Sequence, residues 1–298
     1  MTPIEWDGEL TYADFMYLSM VDVTDHEQRI CLVLTDIWWR FMADPERVPA
    51  RMSRECANRT LLGTFICNRG VAYERAIAAP DILAERLGTD DLVWRMLEVG
   101  EAGVYAAMME SPVLHRFPKV MARNAYLMAQ RLTCDWESDA RTLWETSHLE
   151  PLLLSDLRAR FMSFSGIGEK ISRLAERVAV MSFADVHVVD AEGNVGLATL
   201  DPVPDIHLLR TCERLGLARR GATPMEVVEA VRRFADRTGM MPVAAESLWF
   251  LAAAERICVA DDEKCRCFEC PLASDCLHNG WCDPRDISLE ARRSINEL

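Results

Sequence analysis

A cluster of cysteines near the C-terminal end constrains this chain more than any other feature. Six of its eleven cysteines lie between Cys258 and Cys282, in and just after the run ICVADDEKCRCFECPLASDC. Closely spaced thiolates are the donors that soft metal ions and iron–sulfur clusters prefer. They predict a small metal-binding module after residue 256. Its assigned ligands are Cys258, Cys267, Cys270 and Cys276, with further thiols at Cys265 and Cys282.

The spacing of the assigned cysteines, C-x8-C-x2-C-x5-C, bears on the identity of the metal. Zinc sites usually contain two C-x2–4-C pairs. This chain has a single C-x2-C pair with a longer spacer on each side, which favours a [4Fe–4S] cluster. Zinc and a set of free thiols stay open as alternatives.

Length and charge limit the class of protein. The 298 residues, half of them hydrophobic, can bury a sizeable core in one or two domains. No apolar run reaches the roughly 18–20 residues of a membrane span, and the acidic N-terminal sequence does not resemble a signal peptide. We therefore expect a cytoplasmic protein with no membrane partner, whose clustered cysteines bind metal and do not form disulfides.

The formal net charge of −14 argues against indiscriminate nucleic-acid binding, although the 33 cationic residues can still form a local basic face. Only three of these residues are lysines, namely Lys119, Lys170 and Lys264. A lysine within a motif is therefore informative in this chain.

Most of the chain has helical periodicity, with apolar residues recurring at intervals of three and four. The best strand signal is Val186–Leu200, where two short β-branched runs flank Glu-Gly-Asn and indicate a small inserted hairpin. We predict an all-α fold with this β-hairpin insertion. The predicted helical windows are Glu27–Met42, Leu92–Met109, Lys119–Leu132, Leu152–Phe161, Glu169–Val180, Asp205–Leu215, Pro224–Thr238 and Ala245–Ile257.

A glycine-containing turn separates two of these windows. The segment SGIGEK (residues 165–170) has glycines at alternate positions, Gly166 and Gly168, which permit a tight turn with positive φ. The turn also leaves backbone N–H groups uncovered at the start of the next helix, where a phosphate oxygen can bind. On its own the pattern is weak, and a plain helix–helix turn is the default interpretation.

The wider window, LLLSDLRARFMSFSGIGEKISRLAERVAVMSF, resembles the helix-hairpin-helix of the endonuclease III (HhH-GPD) superfamily of DNA glycosylases. The family form is roughly L-P-G-[IV]-G-x-K-T-A. Phe164 and Ser165 replace its leucine and proline, and Ile171-Ser172 replaces Thr-Ala. Lys170 matches the lysine that is the nucleophile in bifunctional members. A surface phosphate contact is the alternative role for this lysine.

A second motif lies downstream. PDIHLLRTCERLGL (residues 204–217) resembles the family's V-D-x-H-V-x-R-x-x-x-R-L-G-L. The resemblance implies that Asp205, at the start of a helix, is the essential aspartate, with a plain N-cap as the alternative. Asp190 is a rival because it lies nearer the family's lysine-to-aspartate distance. Asp205 is preferred, since only the residues after Asp205 match the motif.

The cysteine run continues the resemblance, because the family's cluster spacing is usually C-x6-C-x2-C-x5-C. Cys265 would restore the first gap but would change the next, so Cys267 is assigned and Cys265 is kept as the alternative ligand. More weakly, LLGTFICN (residues 61–68) resembles the helix carrying the residue that fills the gap left by an extruded base. This implies a duplex-wedge role for Asn68 or the neighbouring Arg69. KVMARN (residues 119–124) resembles the family's K-A-x-N helix.

The resemblance implies two modules. Residues 45–183 would form a six-helix barrel ending in the helix-hairpin-helix, and residues 1–44 with 184–298 a helical module carrying the iron–sulfur loop at 258–282. The protein, a monomer, would grip phosphate through Gly166 and Gly168 and flip a nucleotide out of double-stranded DNA. Asp205 would stabilise the developing sugar cation, and Lys170 would attack C1′ and allow β-elimination.

Three functions are compatible with these motifs. The first is a base-excision DNA glycosylase with AP lyase activity, acting on duplex DNA that contains a damaged or modified base. The second is an enzyme on the same fold that modifies hypermodified pyrimidines in phage DNA, which the acidic charge and the insertion at residues 184–204 suit. The third is a non-catalytic iron–sulfur DNA-binding protein, against which Lys170 and Asp205 argue.

Overall fold

The structure, a computed structural model, describes residues 25–42, 53–68, 71–147, 149–261 and 264–277. The segment before residue 25, Arg69 and Cys282 lie outside these residues. The described residues form two compact units, one within 53–200 and the other made of 25–42 and 201–277. The second boundary thus lies after residue 200, whereas the sequence-based division was drawn after residue 183.

The prediction of a mainly α-helical fold is confirmed. Two predicted windows, 92–109 and 224–238, coincide with helices, although the first is broken at Gly100, where φ is 69° and ψ 176°. No helix in the described part of the chain is long and apolar enough to cross a membrane. The main helices are α1 (Asp25–Met42), α2 (Arg54–Ile66), α3 (Tyr73–Leu87), α4 (Leu92–Met109), α5 (Pro118–Asp135), α6 (Leu154–Met162), α7 (Glu169–Ser182), α8 (Ile206–Arg214) and α9 (Pro224–Thr238).

Helix α2 is the central element of the unit within 53–200. All of its residues from 61 to 66 are buried, and it contacts α3, α4, α5 and α7. A Cβ at Gly63 would lie 3.3 Å from the carbonyl oxygen of Ala76, so the missing side chain lets α3 approach closely. A helix that is buried all round needs such neighbours on every side. Its C-terminal end is therefore held in a defined place beside α7.

The predicted hairpin over Val186–Leu200 is reduced to a single antiparallel bridge, and its first strand pairs mainly with another segment. The strand β2 (Val188–Val189) pairs in parallel with β1 (Leu152–Leu153), just before α6. Val189 makes one antiparallel bridge to Val195, and the remaining residues form a 3-10 turn at Gly196–Thr199. Pairing with a partner distant in sequence ties residues 186–200 to the unit within 53–200.

The second unit packs α1 against α9 and the segment that leads to the cysteines. The apolar face of α1 is buried, and Oγ of Ser247 donates to the carbonyl of Leu34 at 2.7 Å. The predicted helix over 245–257 is composite, with a 3-10 turn at Pro242–Glu246, one α-turn and a π-turn at Phe250–Ala254. It ends where Arg256 takes a φ of 53° and the N–H groups of Ile257 and Cys258 both donate to the carbonyl of residue 251.

Candidate nucleic-acid interface and cysteine cluster

The turn between α6 and α7, residues 163–168, is anchored on the core of its unit. Phe164 is buried and packs edge-to-face on Phe65, with ring centroids 5.5 Å apart. Gly166 has a φ of +82°, and a Cβ there would lie 3.0 Å from Cγ of Asn124 and closer still to its Nδ2. Gly166 is therefore required for its backbone conformation, while a Cβ there would displace only the movable end of the Asn124 side chain.

Helix α7 begins directly after this turn, with Gly168 as its N-cap in an extended conformation. The carbonyl of Gly168 accepts hydrogen bonds from the N–H groups of Ile171 and Ser172, at 3.1 and 2.9 Å. Within the described residues, no side chain caps this helix end. The first N–H groups of α7 can therefore bind an anion, and the helix dipole favours negative charge there.

Lys170 is the second residue of α7 and is half-buried. It lies close enough to Cys67, at the end of α2, for its charge to act on that thiol, as does the charge of Arg177. Burial is the largest influence and raises the pKa of Cys67 to about 11 despite these cations. Cys67 is therefore a neutral neighbour of Lys170 at physiological pH.

Asn68 lies next to the glycine turn. Its Nδ2 donates to the carbonyl oxygen of Gly166 at 3.2 Å, and its own carbonyl oxygen lies 3.0 Å from Nε2 of His115. The N–H of Phe117 donates to Nδ1 of His115 at 2.9 Å, so we assign the ring proton to Nε2, which donates to Asn68. These bonds bring together Asn68, the glycine turn and the loop before α5.

A surface groove of about 430 Å³ adjoins this loop. His115, Arg75, Arg116 and apolar side chains such as Met109 line it. Arg116 also lies over the ring of Phe117, 5.4 Å from the centroid. Two arginines and several apolar side chains therefore line the groove beside the loop that holds Asn68.

Asp205, in the other unit, is the N-cap of α8, as its place at the start of a helix predicted. Its Oδ1 accepts hydrogen bonds from the N–H groups of His207 and Leu208, both at 2.8 Å. These bonds orient the half-buried carboxylate and satisfy two N–H groups of the helix end. The structure describes Asp205 and Lys170 in different units, and a catalytic role for either residue stays a prediction.

Asp190 closes the loop over residues 190–194. Its Oδ1 accepts hydrogen bonds from the N–H groups of Glu192 and Asn194, at 3.1 and 2.8 Å. Its Oδ2 accepts a bond from Nδ2 of Asn194 at 2.8 Å. Both carboxylate oxygens are thus used within the loop.

Two cysteines converge on Arg214, the last residue of α8. Nη1 of Arg214 donates to Sγ of Cys258 at 2.9 Å and to Sγ of Cys265 at 3.2 Å. Burial disfavours the guanidinium charge, but the hydrogen bonds and charges of the two cysteines outweigh it and raise the pKa of Arg214. Arg214 therefore holds both sulfurs beside one cation at the end of α8.

Cys270 lies near the same sulfurs. Burial raises the pKa of the Cys270 thiol to about 12; a hydrogen bond at Leu272 opposes this, and the charges of Cys258, Cys276 and Cys265 add to it. Among the described residues, no three His, Cys, Asp or Glu side chains are close enough to hold a single metal ion. A loop this rich in thiols offers donors that suit either zinc or a [4Fe–4S] cluster.

Asp275 ties the cysteine loop to α1. This buried carboxylate accepts hydrogen bonds from Nε and Nη2 of Arg29, at 3.0 and 2.7 Å, and Nδ1 of His26 lies 3.1 Å from it. Burial opposes its charge, but the hydrogen bonds from Arg29, Ser274 and His26 outweigh burial and lower the pKa of Asp275. An ionised side chain beside Cys276 therefore anchors the loop on the N-terminal helix.

Several residues of these sites were not singled out in the sequence, among them Asn124, Arg214 and His115. Asn124 and Arg214 lie within motifs quoted above, so a closer comparison with those motifs could have found them. His115 lies in no motif, and its partner Asn68 is distant in sequence. No pattern in the chain indicates that bond.

Comparison with known proteins supports the fold. No protein-family model and no curated protein matches this chain. The structure is similar to a trapped covalent intermediate of endonuclease III with DNA, an estranged-adenine complex, with a TM-score of 0.56 and 15% identity over 87% of this chain and 98% of that one. It is similar to a non-covalent endonuclease III–DNA complex, with a TM-score of 0.55 and 14% identity over 92% of this chain and 99% of that one. The chain therefore has an endonuclease III-like fold.

Proposed function

We propose that this chain is a DNA glycosylase with AP lyase activity, which excises a damaged or modified base from double-stranded DNA. One observation carries the proposal: on an endonuclease III-like fold, a lysine follows a glycine turn whose helix end has no side-chain cap among the described residues. Phosphate binding and a nucleophilic amine are thereby combined on adjacent residues of one helix.

The glycine turn would hold the DNA backbone. The first N–H groups of α7 would donate to a phosphate oxygen, and the absence of a side chain at Gly166 and Gly168 would let the phosphate approach. Such contacts bind DNA without reading its sequence. They suit an enzyme that must examine many sites.

Asn68 would fill the space left by a flipped nucleotide. Its side chain is bonded to Gly166, beside the proposed phosphate site. Extruding a base costs a few kcal/mol, least at a damaged or mismatched base, and a polar side chain inserted into the duplex offsets part of this cost.

Lys170 would be the nucleophile. Its neutral amine would form a bond to C1′ of the sugar while the bond from C1′ to the base breaks and the base leaves with the electron pair. One proton of the amine neutralises the departing base. The C1′–O4′ bond then breaks and O4′ takes a proton from water, so the nitrogen, which keeps its other proton, becomes a protonated imine. Removal of a proton from C2′ then expels the 3′ phosphate by β-elimination.

Asp205 would act on the same sugar. An ionised carboxylate stabilises the positive charge that develops at C1′ as the base departs. It could also accept the proton of the attacking amine.

The cysteine loop would hold a [4Fe–4S] cluster through Cys258, Cys270, Cys276 and one of Cys265 and Cys267. When bound, the cluster would supply a rigid cross-link within the loop and no step of the reaction. Arg214 and Asp275 would support it from α8 and α1 by the hydrogen bonds described above.

Borohydride trapping tests the nucleophile. Wild-type protein and abasic-site duplex DNA, mixed with borohydride, should give a covalent adduct, because the imine is reduced to a stable amine. Lys170→Ala should abolish the adduct, while Lys264→Ala is the matched control and should trap like wild type. Lys264 is exposed and paired with Asp261 at 2.6 Å, in the other unit. Trapping that persists in Lys170→Ala would move the nucleophile elsewhere, for example to the N-terminal amine.

The second candidate is an enzyme that modifies hypermodified pyrimidines on the same fold. The observations that favour it are the net charge of −14 and the loop at 190–194, which Asp190 closes. A screen of damaged and modified duplexes separates the candidates. Release of a free base supports the glycosylase, a change in base mass without release supports the modifying enzyme, and binding without reaction supports a non-catalytic protein.

A further inference from the structure

The described part of the cysteine loop contains five cysteines, one more than a cubane needs. Cys258, Cys270 and Cys276 are common to both ligand sets considered above. The question is whether Cys265 or Cys267 supplies the remaining thiolate.

The backbone of the loop brings Cys265 next to Cys258. The N–H of Arg266 donates to the carbonyl of Ile257 at 2.9 Å, which places the two chain segments side by side. Cys265 and Cys258 are the residues next to that bond, one on each segment. The turn between them is closed by the N–H of Lys264, which donates to the carbonyl of Asp261 at 3.0 Å.

Side-chain hydrogen bonds also place Cys265 beside Cys258. One atom, Nη1 of Arg214, donates to the sulfurs of both Cys258 and Cys265, at 2.9 and 3.2 Å. Sγ of Cys265 also lies 3.4 Å from the carbonyl oxygen of Val259, to which Arg214 donates at 2.8 Å. The sulfurs of Cys258 and Cys265 therefore lie together at the end of α8.

Cys267 has a backbone role nearby. It begins the 3-10 turn Cys267–Glu269, and its carbonyl accepts the N–H of Cys270 at 3.1 Å. This bond sets the direction of the chain at Cys270.

We infer that Cys265 is the fourth thiolate ligand, so that the cluster is held by Cys258, Cys265, Cys270 and Cys276 in a C-x6-C-x4-C-x5-C arrangement. The inference rests on the cofactor of the proposed function. Arg214 would then donate to two ligating sulfurs, and hydrogen bonds of this kind hold and tune the ligands of a metal site.

A matched pair of variants tests the assignment. Wild type, Cys265→Ser and Cys267→Ser are purified without oxygen, and iron and sulfide are measured per chain. Wild type and Cys267→Ser should each contain about four irons, as a cubane requires. Cys265→Ser should lose at least one iron of the four or the whole cluster. Loss of iron in Cys267→Ser with full retention in Cys265→Ser would overturn the inference.

A second measurement uses only the wild-type protein, so it tests the assignment even if both the Cys265→Ser and Cys267→Ser variants fold poorly. Native wild-type protein with its cluster is treated with iodoacetamide, and modified cysteines are located by peptide mass spectrometry. Ligation protects a thiolate, so Cys267 should react faster than Cys265. A rate at Cys265 equal to or above that at Cys267 would refute the assignment. Base excision, assayed separately, decides the proposed function, so failure of one is distinct from failure of the other.

Discussion

Replacing Gly166 with alanine tests the glycine turn. The left-handed backbone at φ +82° costs a residue with a Cβ about 1–2 kcal/mol. The new methyl group also meets the amide of Asn124, but this is the movable end of a side chain and should add little. The free energy of unfolding should therefore fall by about 1–2 kcal/mol. For a domain of this size the melting temperature should fall by about 2–8 °C, measured by scanning calorimetry.

Gly168→Ala is the matched control for this prediction. Gly168 has an extended backbone, with φ −115° and ψ −174°, and a Cβ there would meet nothing within 4 Å. The melting temperature should stay level or rise slightly. Alanine restricts the conformations of the unfolded chain, which can increase the free energy of unfolding by about 0.4–1 kcal/mol. The methyl group would, however, lie beside the N–H groups proposed to bind phosphate. Gly168→Ala should therefore weaken DNA binding, measured by fluorescence anisotropy, without loss of stability.

The double variant Gly166→Ala/Asn124→Ala separates the two contributions to the first prediction. If the backbone dominates, removing the Asn124 amide leaves the loss caused by Gly166→Ala almost unchanged, relative to Asn124→Ala alone. If the double variant is instead as stable as Asn124→Ala alone, the loss comes from the Asn124 contact and not from the positive φ of Gly166. A Gly166→Ala protein that melts like wild type would also refute the argument from φ.

Two further predictions concern carboxylates. Asp205→Asn keeps the N-cap, so the protein should stay folded and bind DNA while single-turnover excision slows by about 10²–10³. Asp190→Asn is the control and should excise the base at the wild-type rate. The opposite outcome would move the catalytic site to the loop at 190–194. Nε and Nη2 of Arg158 donate to the buried carboxylate of Glu176 at 2.6 and 2.9 Å. Glu176→Leu removes this carboxylate partner of the Arg158 cation, so the free energy of unfolding should fall by about 3 kcal/mol. The control Glu229→Gln removes an ion pair with Arg233 in which both side chains are exposed. It should change the free energy of unfolding by less than about 1 kcal/mol in the same thermal melts, and equal losses would contradict a special role for burial.

Features that depend on neighbours in the chain were predictable. The window over 224–238 has its proline at the first turn and its glycine directly after the last residue, and it became α9 without change. Asp205 became an N-cap because its side chain bonds to N–H groups two and three residues ahead. The glycine turn before Lys170 likewise forms because the conformation of Gly166 is a local property of glycine.

Features that depend on residues far apart in the sequence were not predictable in this way. Val188–Val189 looked like half of a hairpin, yet its partner is the segment at 152–153. The bond between His115 and Asn68 has no signature, because neither side chain carries information about the other. The catalytic roles of Lys170 and Asp205 stay predictions that the experiments above address.

The cysteine loop illustrates both what the sequence can predict and what depends on tertiary packing. The spacing of the cysteines alone predicted a thiolate-rich metal module, because ligand type and proximity in sequence are both read directly from the chain. The spacing does not decide between Cys265 and Cys267 as a ligand, because both satisfy it about equally well. The choice depends on the backbone bond from Arg266 to Ile257 and on Arg214, which reaches the loop from α8. Only tertiary packing brings that arginine and those sulfurs to one place.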